Sequence, residues 1–447
     1  MRPVTRRSFL LGGAAIAAMP LAGRSGVADA ATPVVFVHGN GDTAGLWLTQ
    51  IWRFETNGHA RDRLFAIDFR NPLARSNDAV EQKLRSSTMQ QREELAVFVA
   101  MVKDRMGAGK VALVGSSRGG NAIRNYLRNG GGAAHVSHAV LCGATNHGVI
   151  VSDKILVGSE FNGASPFLRQ LNNGPNEIVP GVAWMTIRSD NYDKFAQTDG
   201  KSIGHPGTPT GLGFDAPALT GAENVVLPGL DHREVAFHPR AFATMYALVA
   251  GRAPATTDIA PEPAPVLNGK VNAMPGGIQT NEPVAGAVVE IYETDKRTGE
   301  RRSQAHRKTT GADGLWGPFT ARPDAAYEFV IAAADAPVTH IYRSPFPRSS
   351  AYVHLRSGVL TDADKAAGSS ITMTRPRGYF GHGRDRFTLD GQVPPGIAEG
   401  VAATSTGTLR LPAGPPRAVV ARFNDEVIVA RSWPVAENRV VLAEFHY

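Results

Sequence analysis

The stretch Val111-Ala-Leu-Val-Gly-Ser-Ser117-Arg-Gly-Gly120 constrains this chain more than any other. Its apolar start reads as a short buried strand, and a G-x-S-x-G turn follows with Gly115, Ser117 and Gly119 in register. Beyond the turn, Ala122, Ile123, Tyr126 and Leu127 recur at helical spacing. A strand that breaks directly into a helix holds the serine at the break on a strained turn and lifts its hydroxyl clear of the backbone. The flanking glycines avoid collisions with the neighbouring strand and helix. The start of the helix favours negative charge beside the serine. Ser117 is therefore a candidate nucleophile.

The surrounding pattern predicts an α/β fold over residues 31–251: a mostly parallel sheet with flanking helices. Pro33–Val37, Leu64–Asp68, 111–114, 138–142, Val182–Ile187 and Asn224–Leu227 read as strands. Between them lies a helix with a capping box at Ser87 and Gln90, core positions at Leu95, Phe98, Val99 and Val102, and Gly107 past its end. A last helix places Phe242, Met245, Tyr246 and Val249 on one face. From 148 to 181 the periodicity fades. A short helix capped by Ser165 carries Phe167, Leu168 and Leu171, and the segment is a candidate lid or a plain connection.

Residues 252–265 (RAPATTDIAPEPAP) form a proline- and alanine-rich linker. Beyond it the period becomes two: Ala287–Tyr292, Tyr327–Ile331, Val419–Phe423 and Glu426–Val429 read as antiparallel strands. Residues 266–447 are accordingly expected to be all-β, in up to two modules, 266–335 and 336–447.

At the N-terminus, Thr5-Arg6-Arg7-Ser8-Phe9-Leu10-Leu11 sets adjacent arginines before an apolar run that ends at Leu21. Ala28-Asp29-Ala30 offers a cleavage site. Residues 1–30 thus read as a twin-arginine export signal, which makes the protein periplasmic or secreted. The apolar run is too short to span a bilayer, and no later segment approaches that length. Cleavage would remove four arginines and one aspartate, lowering the formal net charge from +7 to +4. The remaining excess is spread along the chain with no basic stripe, which argues against a nucleic-acid partner. Cys142, the single cysteine, lies in an apolar run and reads as a buried, inert thiol. No metal motif is present, and no cofactor is expected.

A serine nucleophile needs a base, an acid that orients the base, and donors for the oxyanion. When the acid and base follow the serine in that order, His232, in the loop Leu227-Pro-Gly-Leu-Asp-His-Arg-Glu after the last strand, is the candidate base. His147 comes too early, and His238 begins the final helix. Asp193 and Asp190 both follow the strand at 182–187. Asp193 is preferred because the loop must clear the strand end, and Asp190 is the alternative. The Arg118 amide and the Asn40 amide, in the loop Val37-His-Gly-Asn-Gly-Asp42, are the candidate oxyanion donors. Arg118 is expected to act through its amide rather than its charge. His38 is expected to buttress the loop.

The segments PVVFVHGNG, RLFAIDF, KVALVGSSRGGNAIRNYL, TIRSDNYD and VVLPGLDH resemble minimal bacterial lipases of the lipase class 2 group in the α/β-hydrolase superfamily. That resemblance implies carboxylester hydrolysis with Ser117, Asp193 and His232 as a triad. The chain departs from the pattern in carrying Ser116 where the usual elbow has histidine, and in the 148–181 insertion. The β-region, mainly through GADGLWGPF, resembles a C-terminal domain of some lipases and carboxylesterases that is implicated in binding long acyl chains. The expected partner is a lipid or ester substrate, and a lipid interface is a candidate contact. Phe161, Phe167, Leu168 and Leu171 are candidate substrate contacts. An amidase, a polyester depolymerase or a binding protein on the same fold are the alternatives.

Overall fold

The computed structural model describes residues 32–447, so the export signal read over 1–30 lies outside the described residues. Six parallel strands form the first sheet: β1 (Val34–Val37), β2 (Leu64–Ile67), β3 (Val111–Ser116), β4 (Val136–Cys142), β5 (Ala183–Arg188) and β6 (Glu223–Val226). Their spatial order is β2-β1-β3-β4-β5-β6, which puts β3 and its serine turn near the centre. All residues of β1 and β3 are buried, as expected when helices cover both faces of a parallel sheet.

On one face, α1 (Leu48–Thr56) and α5 (Pro239–Ala250) bury Ile51, Phe54, Phe242, Met245, Tyr246 and Val249. On the other face, α2 (Thr88–Met106) and α3 (Arg118–Asn129) bury Leu95, Val99, Val102, Ile123 and Tyr126. Each such large apolar side chain contributes about 1.5–3 kcal/mol on leaving water. Helix α2 starts at the capping box of Ser87 and Gln90 and stops at Gly107, whose φ of 58° is left-handed. Phe98 is only partly buried, at the edge of that core.

The C-terminal region is mostly β-sheet. Its largest sheet has seven strands in the order 301–309, 288–294, 326–332, 338–343, 439–444, 369–374, 406–411. A separate three-stranded sheet joins Phe387–Leu389, Ala418–Phe423 and Glu426–Arg431. A division at residue 335 does not follow this pairing. Tyr327–Arg343 forms a hairpin across it, and the last strand, 439–444, inserts in parallel between 338–343 and 369–374. Parallel pairing between strands so far apart leaves no local mark in the sequence, so the two-module expectation is corrected here.

The β-region is stitched to the first sheet. Trp52 of α1 enters the β-region core with Leu267, Trp316 and Phe346, and its indole donates to Ser349 O at 2.9 Å. Asp68, after β2, meets His354 and Lys270, each at 2.9 Å. Burial pushes its carboxyl up, yet these two partners hold it far below the usual carboxylate range.

Candidate active site

Ser117 sits between β3 and α3 with φ 52° and ψ −123°, backbone angles that a non-glycine residue adopts only under strain. Three glycines make the turn possible. A Cβ at Gly115 would lie 2.6 Å from Ile123, one at Gly119 would lie 2.4 Å from Val37 O, and one at Gly120 would lie 2.5 Å from Ala144 Cβ. The chain must approach itself this closely to lift Ser117 above the sheet. The Ser117 amide donates to Cys142 O at 2.8 Å and fixes the turn against β4.

His232 Nε2 lies 3.0 Å from Ser117 Oγ. On the other side of the ring, Nδ1 lies 2.9 Å from Asp193 Oδ1 and 3.0 Å from Oδ2. A carboxylate can only accept, so Nδ1 carries the hydrogen and Nε2 faces the serine hydroxyl as acceptor. Both His232 and Asp193 are nearly fully buried, at 3% and 2% exposure. The Phe195 amide donates to Asp193 at 2.8 Å, and the Phe195 ring meets the imidazole edge-to-face at 4.7 Å. The structure therefore joins Ser117, His232 and Asp193 in one hydrogen-bonded chain.

Asp190 does not join it. Its carboxylate accepts from Gly229 N and Ser189 Oγ, at 3.2 and 3.0 Å, and braces the loop that leads to His232. The other two histidines stand apart as well. His147 bonds Ala216 O and Glu177, both at 2.7 Å, and His238 caps α5 by accepting from Arg240 N.

The loop after β1 lies against the serine: a Cβ on Gly39 would come within 3.1 Å of Ser117 Cβ. Asn40 anchors it by accepting from Ala74 N at 2.7 Å through its side chain. His38 is fully buried. Its Nδ1 bonds Gly39 O at 2.9 Å and its Nε2 accepts from Phe69 N at 3.1 Å, which requires the neutral ring. Burial lowers its pKa accordingly. The Arg118 amide opens α3 and has no acceptor within the helix.

The Arg118 side chain corrects the expectation that only its amide matters. Its guanidinium is 0% exposed and pairs with Glu160, while also reaching Pro72 O, Ser86 Oγ and Ser86 O at 2.8–3.0 Å. One buried cation thus ties the serine turn to the 148–181 insertion and to the 72–86 loop. A second correction concerns α4 (Pro166–Leu171) within that insertion. Leu168 and Leu171 are 0% and 1% exposed, and Leu171 O accepts from Arg124 and Arg128 of α3. The short helix buries its apolar face inward and leaves neither leucine for substrate. Phe161 and Phe167 are half-buried.

Sequence reasoning missed the partners that frame these loops. Asp231, Arg233 and Glu234 surround His232 and bond to Arg375, Tyr379 and Arg384. Asn281 donates to Asp42 O and Phe69 O beside the Gly39 loop. Lys194, next to Asp193, donates to Ala403 O at 3.0 Å. The only available signal was the dense charge of Asp231-His-Arg-Glu234 after an apolar strand. Among the described residues, no group of three or more His, Cys, Asp or Glu side chains is placed to hold a metal ion. No helix among them is long and apolar enough to cross a membrane.

Residues 32–183 match the model described as alpha/beta hydrolase fold, and residues 265–359 match the model described as lipase C-terminal domain. Solved structures with similarity include lipase B of Aspergillus fumigatus, at 16% identity and TM-score 0.37, over 51% of this chain and 54% of that one. The present chain thus spans about half the length of that lipase. The mature form of the Bacillus licheniformis lipase BlEst2 matches at 18% identity and TM-score 0.37, over 50% of this chain and 94% of the other. A carboxylesterase of Bacillus subtilis, CesB, matches at 15% identity and TM-score 0.27, over 50% and 86%. With its parallel sheet, its serine turn and its β-rich continuation, the chain carries an alpha/beta hydrolase fold over residues 32–183 and a region like the lipase C-terminal domain over residues 265–359.

Proposed function

We propose that this protein is an exported serine hydrolase that cleaves carboxylic esters, above all lipidic acyl esters. The observation that carries the reading is the hydrogen-bonded chain from Ser117 Oγ through His232 to Asp193, at 3.0 and 2.9 Å, on a strained turn. Ser117 Oγ attacks the ester carbonyl as its proton passes to His232 Nε2. Asp193 holds the ring in the required tautomer and stabilises the imidazolium that forms. The amides of Arg118 and Asn40 receive the oxyanion, each such donor being worth about 3–4 kcal/mol in the transition state. His232 then returns the proton to the leaving alkoxide. Water, deprotonated by the same imidazole, attacks the acyl-enzyme and releases the carboxylic acid.

The preference for lipidic substrates is supported by the surface of the insertion. Val151, Leu156 and Val157 are 46%, 37% and 59% exposed. Export rests on the sequence of residues 1–30. The test is hydrolysis by the purified full chain of nitrophenyl acyl esters of increasing length, beside the matching nitroanilides. Ester turnover that rises with chain length is expected. Faster anilide cleavage would make the protein an amidase, and no turnover of either would favour a binding protein.

A further inference from the structure

We infer that Arg375 and Arg384 of the C-terminal region are positioning residues for His232, and that they act through the two carboxylates that flank it. This rests on the reading of Ser117, His232 and Asp193 given above.

Asp231 and Glu234 close a reciprocal cap around the histidine. Asp231 Oδ1 accepts from Arg233 N and Glu234 N, both at 2.9 Å, and Glu234 Oε2 accepts from Asp231 N at 2.9 Å. The backbone on both sides of His232 is therefore fixed by two carboxylates. Both are buried, at 0% and 6% exposure.

Two buried carboxylates so close together repel each other, and each costs free energy to strip of water. Burial, and then the charge of Asp231, pushes the Glu234 carboxyl up. The opposing charge comes from outside the first sheet. Arg384 Nη1 reaches Glu234 at 2.7 Å and its Nη2 reaches Asp231 at 3.2 Å. Arg375 Nη2 reaches Glu234 at 2.6 Å, with Nη1 3.5 Å from Asp231. Tyr379 completes the joint. Its amide donates to Asp231 at 2.8 Å, while its carbonyl accepts from Arg375 and Arg384.

Arg233, the residue after His232, carries the same frame across the site. It donates to Tyr379 Oη at 3.2 Å and to Pro376 O, and it pairs with Asp42 of the Gly39 loop at 3.1 Å. Loops that hold a base within hydrogen-bond reach of a nucleophile must be fixed closely, since a 1 Å misplacement can cost about 100-fold in rate. In this chain that fixing is shared with residues more than 140 positions away.

The test uses the full chain. Arg384→Gln is expected to lower kcat on a short nitrophenyl ester about tenfold or more, with KM changed less than about twofold. The double variant Arg384→Gln/Glu234→Gln, which removes one charge of each sign, is expected to regain most of that loss. Arg384→Lys, which keeps the charge but not the fork, is expected to fall between Arg384→Gln and wild type, and it decides the matter if Arg384→Gln does not fold. Wild-type kcat in folded Arg384→Gln or Arg384→Lys protein would overturn the inference. So would a double variant whose losses simply add. If wild type itself hydrolyses no ester, the proposed function fails rather than the positioning role.

Discussion

Arg118 and Glu160 form an ion pair in which neither side chain reaches solvent, at 0% and 2% exposure. The arginine follows the candidate nucleophile directly, and the glutamate lies in the insertion after β4. Burial pushes the Glu160 carboxyl up, with the guanidinium opposing it. Arg118→Met would leave that carboxylate without its cation, at a cost of about 3–5 kcal/mol. Urea unfolding should show this as a lowered midpoint, and Arg118→Met/Glu160→Leu should recover part of it.

Asp193 and Asp190 separate by function in a single comparison. Asp193→Asn removes the acceptor that sets the His232 tautomer, so kcat should fall about 10⁴-fold. Asp190→Asn alters only a brace on the Gly229 loop, and its kcat should stay within about fivefold of wild type. Steady-state kinetics on one ester decide between them.

Leu168 tests the inward packing of α4. A side chain that is 0% exposed and packed inward should cost about 2–5 kcal/mol when cut to alanine. The acyl-chain-length profile of Leu168→Ala should match that of wild type. A changed profile at unchanged stability would return the leucine to the substrate surface.

Much of the first sheet was legible because its signals are local. Unbroken apolar strands, the Ser87–Gln90 box and the G-x-S-x-G turn each fix a structure within a few residues. The framing of His232 was not legible. Arg375, Tyr379 and Arg384 carry no periodicity or motif, and their partners lie far off in the sequence. The same holds for the strand at 439–444, whose parallel neighbours come from two distant segments. The burial of Leu168 escaped for another reason. An amphipathic helix shows in its sequence that it has an apolar face, but not which way that face is turned.

Two histidines, buried His59 and half-buried His238, make stability depend on acid. Burial lowers His59 and His238 to about 4, below the usual value near 6.5. Their neutral forms fit the fold, so their contribution is intact above about pH 6.5 and is lost as pH falls toward 4. The urea midpoint should therefore decline through that window. His59 packs edge-on against Phe54 and Tyr246, with ring centroids 5.0 and 5.4 Å away, so His59→Phe should flatten part of the decline. An equally steep decline in that variant would assign the loss to other groups.

The proposed acylation of Ser117 can be read by intact-mass measurement after incubation with a nitrophenyl alkylphosphonate. Wild type should gain the mass of one phosphonyl group, carried on the peptide that contains Ser117, with activity lost in step. Ser117→Ala should gain none and hydrolyse no ester. A label on another residue, or a Ser117→Ala protein that still turns over esters, would rule out Ser117 as the nucleophile.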